Sequence, residues 1–223
     1  MSKRGIIVSG GSIDEAFAFE QFREIKPEII LGVDRGLQFL YHNQIMPTHI
    51  VGDFDSVAPE MIEYYKSKTG VPIREFNPIK DASDTEIAVR LAIELGVKEL
   101  WILGATGTRI DHVWANVQVL KIALDAGVKA HILDAYNRIS LIEKKACLSQ
   151  KEAFGPYFSV FPLGGIVSGF SVKGAKYPLK NHTLCPYDSL CVSNQFLEEE
   201  VQITFPEGII ILMETRDDGK EII

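Results

Sequence analysis

Cysteine is scarce: Cys147, Cys185 and Cys191 give an odd count of three with no CxxC spacing. That pattern excludes a disulfide framework and a cysteine-built zinc site, and fits reduced thiols in a cytoplasmic protein. The five histidines are far apart and form no HxxxH or HExxH pair, so an imidazole-held metal is not indicated either. Basic residues are outnumbered, 23 Lys and Arg against 30 Asp and Glu for a net charge of -7. A protein that grips nucleic acid by neutralising phosphates is thereby disfavoured. Long apolar runs are missing as well. Ile6 to Val8 is too short for a signal-peptide core, and nothing approaches the roughly 18 apolar residues of a membrane-spanning helix. No repeat or low-complexity block interrupts the chain. The expectation is a soluble, cytoplasmic protein without nucleic-acid or membrane partners.

What is present is enough apolar material, 46% of 223 residues, for one large core or two modest ones. Up to about residue 134, short β-rich runs alternate with longer segments of helical period, as in βα units around a mostly parallel sheet. The runs are Gly5 to Val8, Ile29 to Val33, His49 to Val51, Leu100 to Leu103 and Ala130 to Leu133. Ser83-Asp84-Thr85-Glu86 reads as a capping box, with Ser83 accepting from the Glu86 amide and Glu86 reaching back. The helix it opens carries Ile87, Leu91 and Leu95 as its apolar stripe and stops at Gly96. A second helix over Asp111 to Ala126 presents Val113, Val117, Leu120 and Leu124. Beyond about Asn137 the texture changes to short alternating runs broken by Gly and Pro, which predicts an antiparallel β domain. Pro206-Glu207-Gly208 reads as a hairpin connection between Thr204-Phe205 and Ile209 to Leu212. The fold class is therefore an α/β N-terminal domain over residues 1–136 and an all-β domain over 137–223.

In an open parallel sheet ligands bind beyond the carboxyl ends of the strands. The residues following the apolar runs are acidic: Asp34, then Asp53 and Asp55, and, across a glycine-containing loop, Asp111 with Arg109. Asp81 and Asp84 stand just before and at the start of the capped helix. If Asp53, Asp55, Asp84 and Asp111 converge, each like-charge pair at 4 Å costs about 4 kcal/mol at an effective dielectric of 20. A hard cation relieves that cost, and all-oxygen ligation suits magnesium or manganese, with substrate phosphates completing the shell.

Plainer roles compete. Asp84 and Asp111 can simply cap helices and offset the macrodipole, and Asp34 before Arg35-Gly36 can be a turn residue. Arg109 can fork onto phosphate oxygens, or form a salt bridge with a neighbouring carboxylate that yields when nucleotide arrives. Gly10-Gly11-Ser12 after the first run suggests a phosphate loop, but neither GxGxxG nor GxxxxGK[ST] is present. Lys80 either touches a phosphate or stays in solvent.

Gly52-Asp53-Phe54-Asp55-Ser56, Lys80-Asp81-Ala82-Ser83-Asp84 and Gly104 to His112 with Asn116 following resemble, in order and spacing, the signature segments of thiamine pyrophosphokinases. Ser193-Asn194 is similar to the Ser-Asn near that family's thiamine pocket. The resemblance implies an α/β nucleotide-binding catalytic domain joined to a thiamine-binding β-sandwich, in a homodimer whose active site lies at the subunit interface. It implies Asp53, Asp55 and Asp84 as magnesium ligands, with Arg109 and Asp111 at the transfer site. Asp34, Lys80, Asp81, Ser83 and Thr108 join Arg109 around ATP, and Ser193 and Asn194 face thiamine, with Phe196 either stacking on its ring or filling the core. Two positions depart from the family: Ser83 stands where Thr is common and Thr108 where a further Gly is frequent.

The implied chemistry is in-line attack of the thiamine hydroxyl on the β-phosphorus of ATP, releasing AMP, with positioning and electrostatics carrying the rate. Asp111 is the first candidate for a general base. One rival reads Asp53-Phe54-Asp55 as a phosphatase motif with Asp53 as nucleophile, which leaves the Arg109 to His112 segment without a role. Another is a nucleotide or thiamine sensor without turnover, which has little need of both the acidic set and Arg109.

Overall fold

The computed structural model describes residues 2–52, 54, 57–75 and 82–219. The chain divides into two compact units, Met1–Ala135 and Tyr136–Ile223.

The first unit is built on a parallel sheet of β1 (Arg4–Val8), β2 (Ile29–Val33), β3 (His49–Gly52), β4 (Ile73–Glu75), β5 (Glu99–Leu103) and β6 (Lys129–Leu133). Their order across the sheet is β4-β3-β2-β1-β5-β6, every pair parallel. The runs expected from sequence all form strands; β4, with one apolar residue in three, is an addition. Ile6, Ile7, Val8, Leu31, Ile50, Val51, Leu100 and Ile102 are fully buried, as a sheet packed on both faces requires. The helices are α1 (Glu15–Ile25), α2 (Gly36–His42), α3 (Pro59–Tyr64, continued by a π-helical turn over Tyr65–Thr69), α4 (Asp84–Glu94) and α5 (Ile110–Asp125).

Two helix details differ from expectation. Ser83 caps α4, its hydroxyl accepting from the Glu86 amide at 3.2 Å. Glu86, however, does not reach back: Arg90, one turn on, forks onto Glu86 Oε1 at 2.8 and 3.0 Å, an i,i+4 pair that occupies the carboxylate. On α5 the buried residues are Asn116, Val117, Val119, Leu120 and Ala123, while Val113 and Leu124 are half-buried. The buried face thus includes the polar Asn116.

The second unit consists of β7 (Asn137–Ser149), β8 (Tyr157–Pro162), β9 (Val167–Lys173), β10 (Leu179–Leu184), β11 (Asn194–Gln195) and β12 (Glu200–Thr215). Its ladders are antiparallel throughout, confirming an all-β unit. The expected hairpin at Pro206-Glu207-Gly208 is not formed. β12 runs through it and stays paired to β7 on both sides, from Thr204↔Lys145 to Ile209↔Glu143, with a bulge between. Gly208, at φ 102, and Lys144, at φ 65, absorb the irregularity. Before the bulge β12 also pairs with β9, and after it with β8. The extra residues therefore redirect one long strand from one neighbour to another instead of reversing it. Both halves contribute to a core of Phe158, Phe170, Val201, Ile203, Phe205 and Ile210.

Candidate active site

The strand register aligns the rim of the first sheet. Val8 is level with Leu103 and Gly32, and Val33 with Val51. The next residues, Ser9, Gly104, Asp34 and Gly52, consequently share one edge. Strand order reverses between β1 and β5, because β2, β3 and β4 lie on one side of β1 and β5 and β6 on the other. Such a switch point opens a crevice at the carboxyl end of the sheet. The loops after β1 and β5 meet there: Ser9 N donates to Leu103 O at 2.8 Å, Gly11 N to Gly104 O at 2.7 Å and Ser12 N to Thr106 O at 2.8 Å. Gly10-Gly11-Ser12, weak as a motif, thus lies at the switch point. A Cβ on Gly11 would fall on the carbonyl oxygens of Thr106 and Gly104, so this glycine serves loop-to-loop contact.

Three buried polar side chains anchor this rim. Ser9 Oγ and Thr85 Oγ1 are 2.7 Å apart, joining the end of β1 to the first turn of α4. Asn116 Nδ2 donates to Ala105 O at 2.8 Å and so holds the loop after β5 against α5. None of the three was singled out by sequence as an anchor; Asn116 entered only as part of a motif.

Arg109 precedes α5 and Asp111 lies in its first turn. Arg109 Nε donates to Asp111 Oδ1 at 3.2 Å and Nη2 to Oδ2 at 2.5 Å, both side chains mostly exposed. The His112 amide also donates to Asp111 Oδ1, at 3.0 Å. The guanidinium's hydrogen bond, chiefly, holds the Asp111 carboxyl below its ordinary value, and the carboxylate pushes Arg109 up. Thr108, in the same loop, is exposed.

Asp34 sits at φ 42 and Phe54 at φ 62, left-handed conformations rare for such residues. They flank Gly52, where a Cβ would fall on Asp34 Oδ1. The carboxylate of Asp34 therefore lies directly against the end of β3. Asp84 opens α4, which packs across β1, β2 and β3. Asp53, Asp55, Lys80 and Asp81 lie outside the described residues. Among the described residues no group of three His, Cys, Asp or Glu side chains is placed to hold a metal.

In the second unit Ser193, at φ 56, is exposed, and its amide donates to Ser159 Oγ at 3.0 Å. Asn194 is buried and engaged by backbone: Oδ1 accepts from Tyr177 N at 3.0 Å and from Gln195 N at 2.9 Å, while Nδ2 donates to Tyr177 O at 2.9 Å. Phe196 packs edge-on against Phe158, 5.7 Å between ring centres, and joins the core.

Two surface cavities lie away from this rim. One of about 620 Å³ runs along α1 and is lined by Ala16, Phe19, Phe22, Arg23 and Ile45. The other, about 440 Å³, includes His49 and Ile73, the first residues of β3 and β4, and so lies at the opposite end of the strands. Neither contains a rim carboxylate.

Residues 24–132 match the family model for the thiamin pyrophosphokinase catalytic domain, and residues 145–210 match the thiamin pyrophosphokinase vitamin B1 binding domain. The chain belongs to the thiamin pyrophosphokinase family. The two models fall one in each compact unit, in chain order. Thiamine pyrophosphokinase of Bacillus subtilis is 28% identical over 187 residues, 84% of this chain and 87% of that protein. A crystal structure of the Bacillus subtilis enzyme superposes with a TM-score of 0.84 at 26% identity, covering 96% of this chain and 100% of that one. The Geobacillus thermodenitrificans thiamin pyrophosphokinase gives 0.82 at 28% identity, covering 97% and 99%. The phosphatase and sensor readings gain no support from these matches. Arg109, Asp111 and the loop after β5 fall within the residues matched by the catalytic-domain model, and the loop after β1 precedes them.

Proposed function

We propose that this protein is an ATP-dependent thiamine pyrophosphokinase, transferring diphosphate from ATP to the thiamine hydroxyl and releasing AMP. The observation that carries the reading is the pairing of a catalytic-domain match and a vitamin B1-binding match in one chain, with an arginine–carboxylate fork at the first unit's switch point.

Arg109 is the residue suited to the transferring group. Its planar fork already engages two carboxylate oxygens, the same geometry a phosphoryl group offers. Exchange of Asp111 for phosphate oxygens brings the guanidinium onto charge that grows during transfer and leaves Asp111 free to accept the thiamine proton. The interlocked loops hold the nucleotide's position, and Ser83 and Thr108 add hydroxyls near it.

Magnesium fits the chain's oxygen donors: Asp34 is pressed against Gly52 and Asp84 opens α4, and in the sequence Asp53 and Asp55 follow β3 closely. Asp53, Asp55 and Asp84 would hold the ion. When bound it supplies neutralisation of the triphosphate, which an acidic chain cannot provide by itself.

Ser193 is the residue of the second unit suited to thiamine, presented by Asn194, whose amide is spent on the Tyr177 backbone. The family resemblance supports a homodimer with the site shared between subunits, and the free cysteines support a cytoplasmic setting. No helix among the described residues is long and apolar enough to cross a membrane.

The test is incubation with thiamine, ATP and magnesium, with chromatography for products. Thiamine diphosphate and AMP in equal amounts are expected. ADP in place of AMP refutes attack at the β-phosphorus, and absence of any thiamine product refutes the activity. Light scattering tests the dimer.

A further inference from the structure

We propose that Ser9 and Thr85 are a positioning pair, which sets Asp84 against the switch-point loops through one buried hydroxyl-to-hydroxyl hydrogen bond. The proposal rests on the kinase reading for the role of Asp84.

The two hydroxyls are 2.7 Å apart, and their residues are 5% and 6% exposed. Buried polar groups cost free energy unless paired, and replacing both partners of such a pair by apolar groups of similar shape is often nearly neutral. A Val at 85 and an Ala at 9 would therefore suit packing alone. The buried polar side chains of the first unit, among the described residues, are Ser9, Thr85 and Asn116, and all three tie rim segments together. Their concentration there points to placement of the site as their purpose.

The mechanics follow from direction. The apolar contacts of Ala88, Val89, Leu91 and Ala92 bury the face of α4 but resist sliding along the sheet only weakly, because burial is non-directional. A hydrogen bond in the helix's first turn fixes both its height and its rotation. Asp84 is the residue immediately before Thr85. On the other partner, Ser9 N is bonded to Leu103 O, and Gly11 and Ser12 are bonded to the loop after β5. One hydroxyl pair thus connects Asp84 to both loops of the crevice.

The experiment compares Thr85→Val with the rescue variant Thr85→Ser and with Ser9→Ala. Three readouts are used: thermal unfolding, calorimetric binding of magnesium with a non-hydrolysable ATP analogue, and kcat and KM for ATP. Loss of nucleotide affinity or kcat on the order of tenfold to a hundredfold is expected for Thr85→Val, since small misplacements at a transfer site have such effects. Thr85→Ser should restore both, while Thr85→Val, which strands the buried Ser9 hydroxyl, should unfold only a few degrees below the parent protein and stay folded at the assay temperature. Parent-like binding and kinetics in Thr85→Val overturn the proposal, as does a Thr85→Ser variant equally impaired. Unfolding of both Thr85→Val and Ser9→Ala also overturns it, because the pair would then be holding the fold. If the parent protein makes no thiamine diphosphate yet binds the analogue in a hydroxyl-dependent way, the kinase reading fails and the positioning pair stands.

Discussion

Arg109 grips Asp111 with two nitrogens on two oxygens, although only one residue separates them in the chain. Its main consequence is that Asp111 ionises below the ordinary carboxylate value. A carboxyl depressed in the folded state contributes stability above its unfolded pKa and loses it as pH falls through the folded one. Both groups are exposed, so the stability effect is small and the titration is what can be read. The Asp111 midpoint, followed by carbon NMR, should lie below 3.8 and move up in Arg109→Gln. An unmoved midpoint would remove the fork as its cause. Arg109→Lys keeps charge without the fork, and should lower turnover by about a hundredfold, as loss of a transition-state donor does.

Gly52 leaves room for Asp34. In Gly52→Ala the new methyl falls on Asp34 Oδ1, in a backbone conformation at φ 156 that a side chain strains. The carboxylate must swing away or β3 must shift, at a cost of about 1–3 kcal/mol. Activity should fall more steeply than stability, because the displaced group belongs to the rim. A Gly52→Ala enzyme with an unchanged KM for ATP would separate Asp34 from the nucleotide site, and Asp55→Asn, expected to abolish turnover with the fold intact, supplies the reference.

The second unit has an ion pair of another kind. Arg138 forks onto Glu214, Nε to Oε2 at 2.7 Å and Nη2 to Oε1 at 2.5 Å, and the glutamate side chain is only 6% exposed. Removing the cation strands a buried carboxylate, which costs about 3–5 kcal/mol. Arg138→Ala should lower the unfolding temperature by on the order of 10 °C, whereas Arg138→Ala with Glu214→Leu should recover much of it. A single variant within a degree of the parent protein would refute the account.

The strands of the first unit were legible because burial on both faces demands continuous apolar runs, as at Ile29 to Val33. β4 was not, since Ile73-Arg74-Glu75 has too little apolar content to announce a strand. Pro206-Glu207-Gly208 carries turn chemistry, but turn residues also make bulges, and only the partner strand decides between them. Of the acidic residues expected at the rim, Asp34 after β2 and Asp84 at the start of α4 could be read from where carboxylates follow strands or open a helix. The rim's anchoring could not, because Ser9 and Thr85 are 76 positions apart and nothing local marks either hydroxyl as buried.

Asn116 offers the sharpest separation of shape from hydrogen bonding. Its Nδ2 is a donor aimed at Ala105 O, 2.8 Å away, at a buried position. Asn116→Asp keeps size and outline but turns a donor into a second acceptor, so the carbonyl loses its partner and meets a negative charge. Loss of such a bond costs about 1–3 kcal/mol, more where charge is involved. A proton restores the donor, so the folded state favours the protonated form and raises the new carboxyl's pKa above its unfolded value. Stability relative to the parent protein should therefore recover below about pH 4 and decline as pH rises through the folded pKa. Paired denaturation curves at several pH values check this, and an offset that does not change with pH would mean that the carbonyl of Ala105 is not what Asn116 holds.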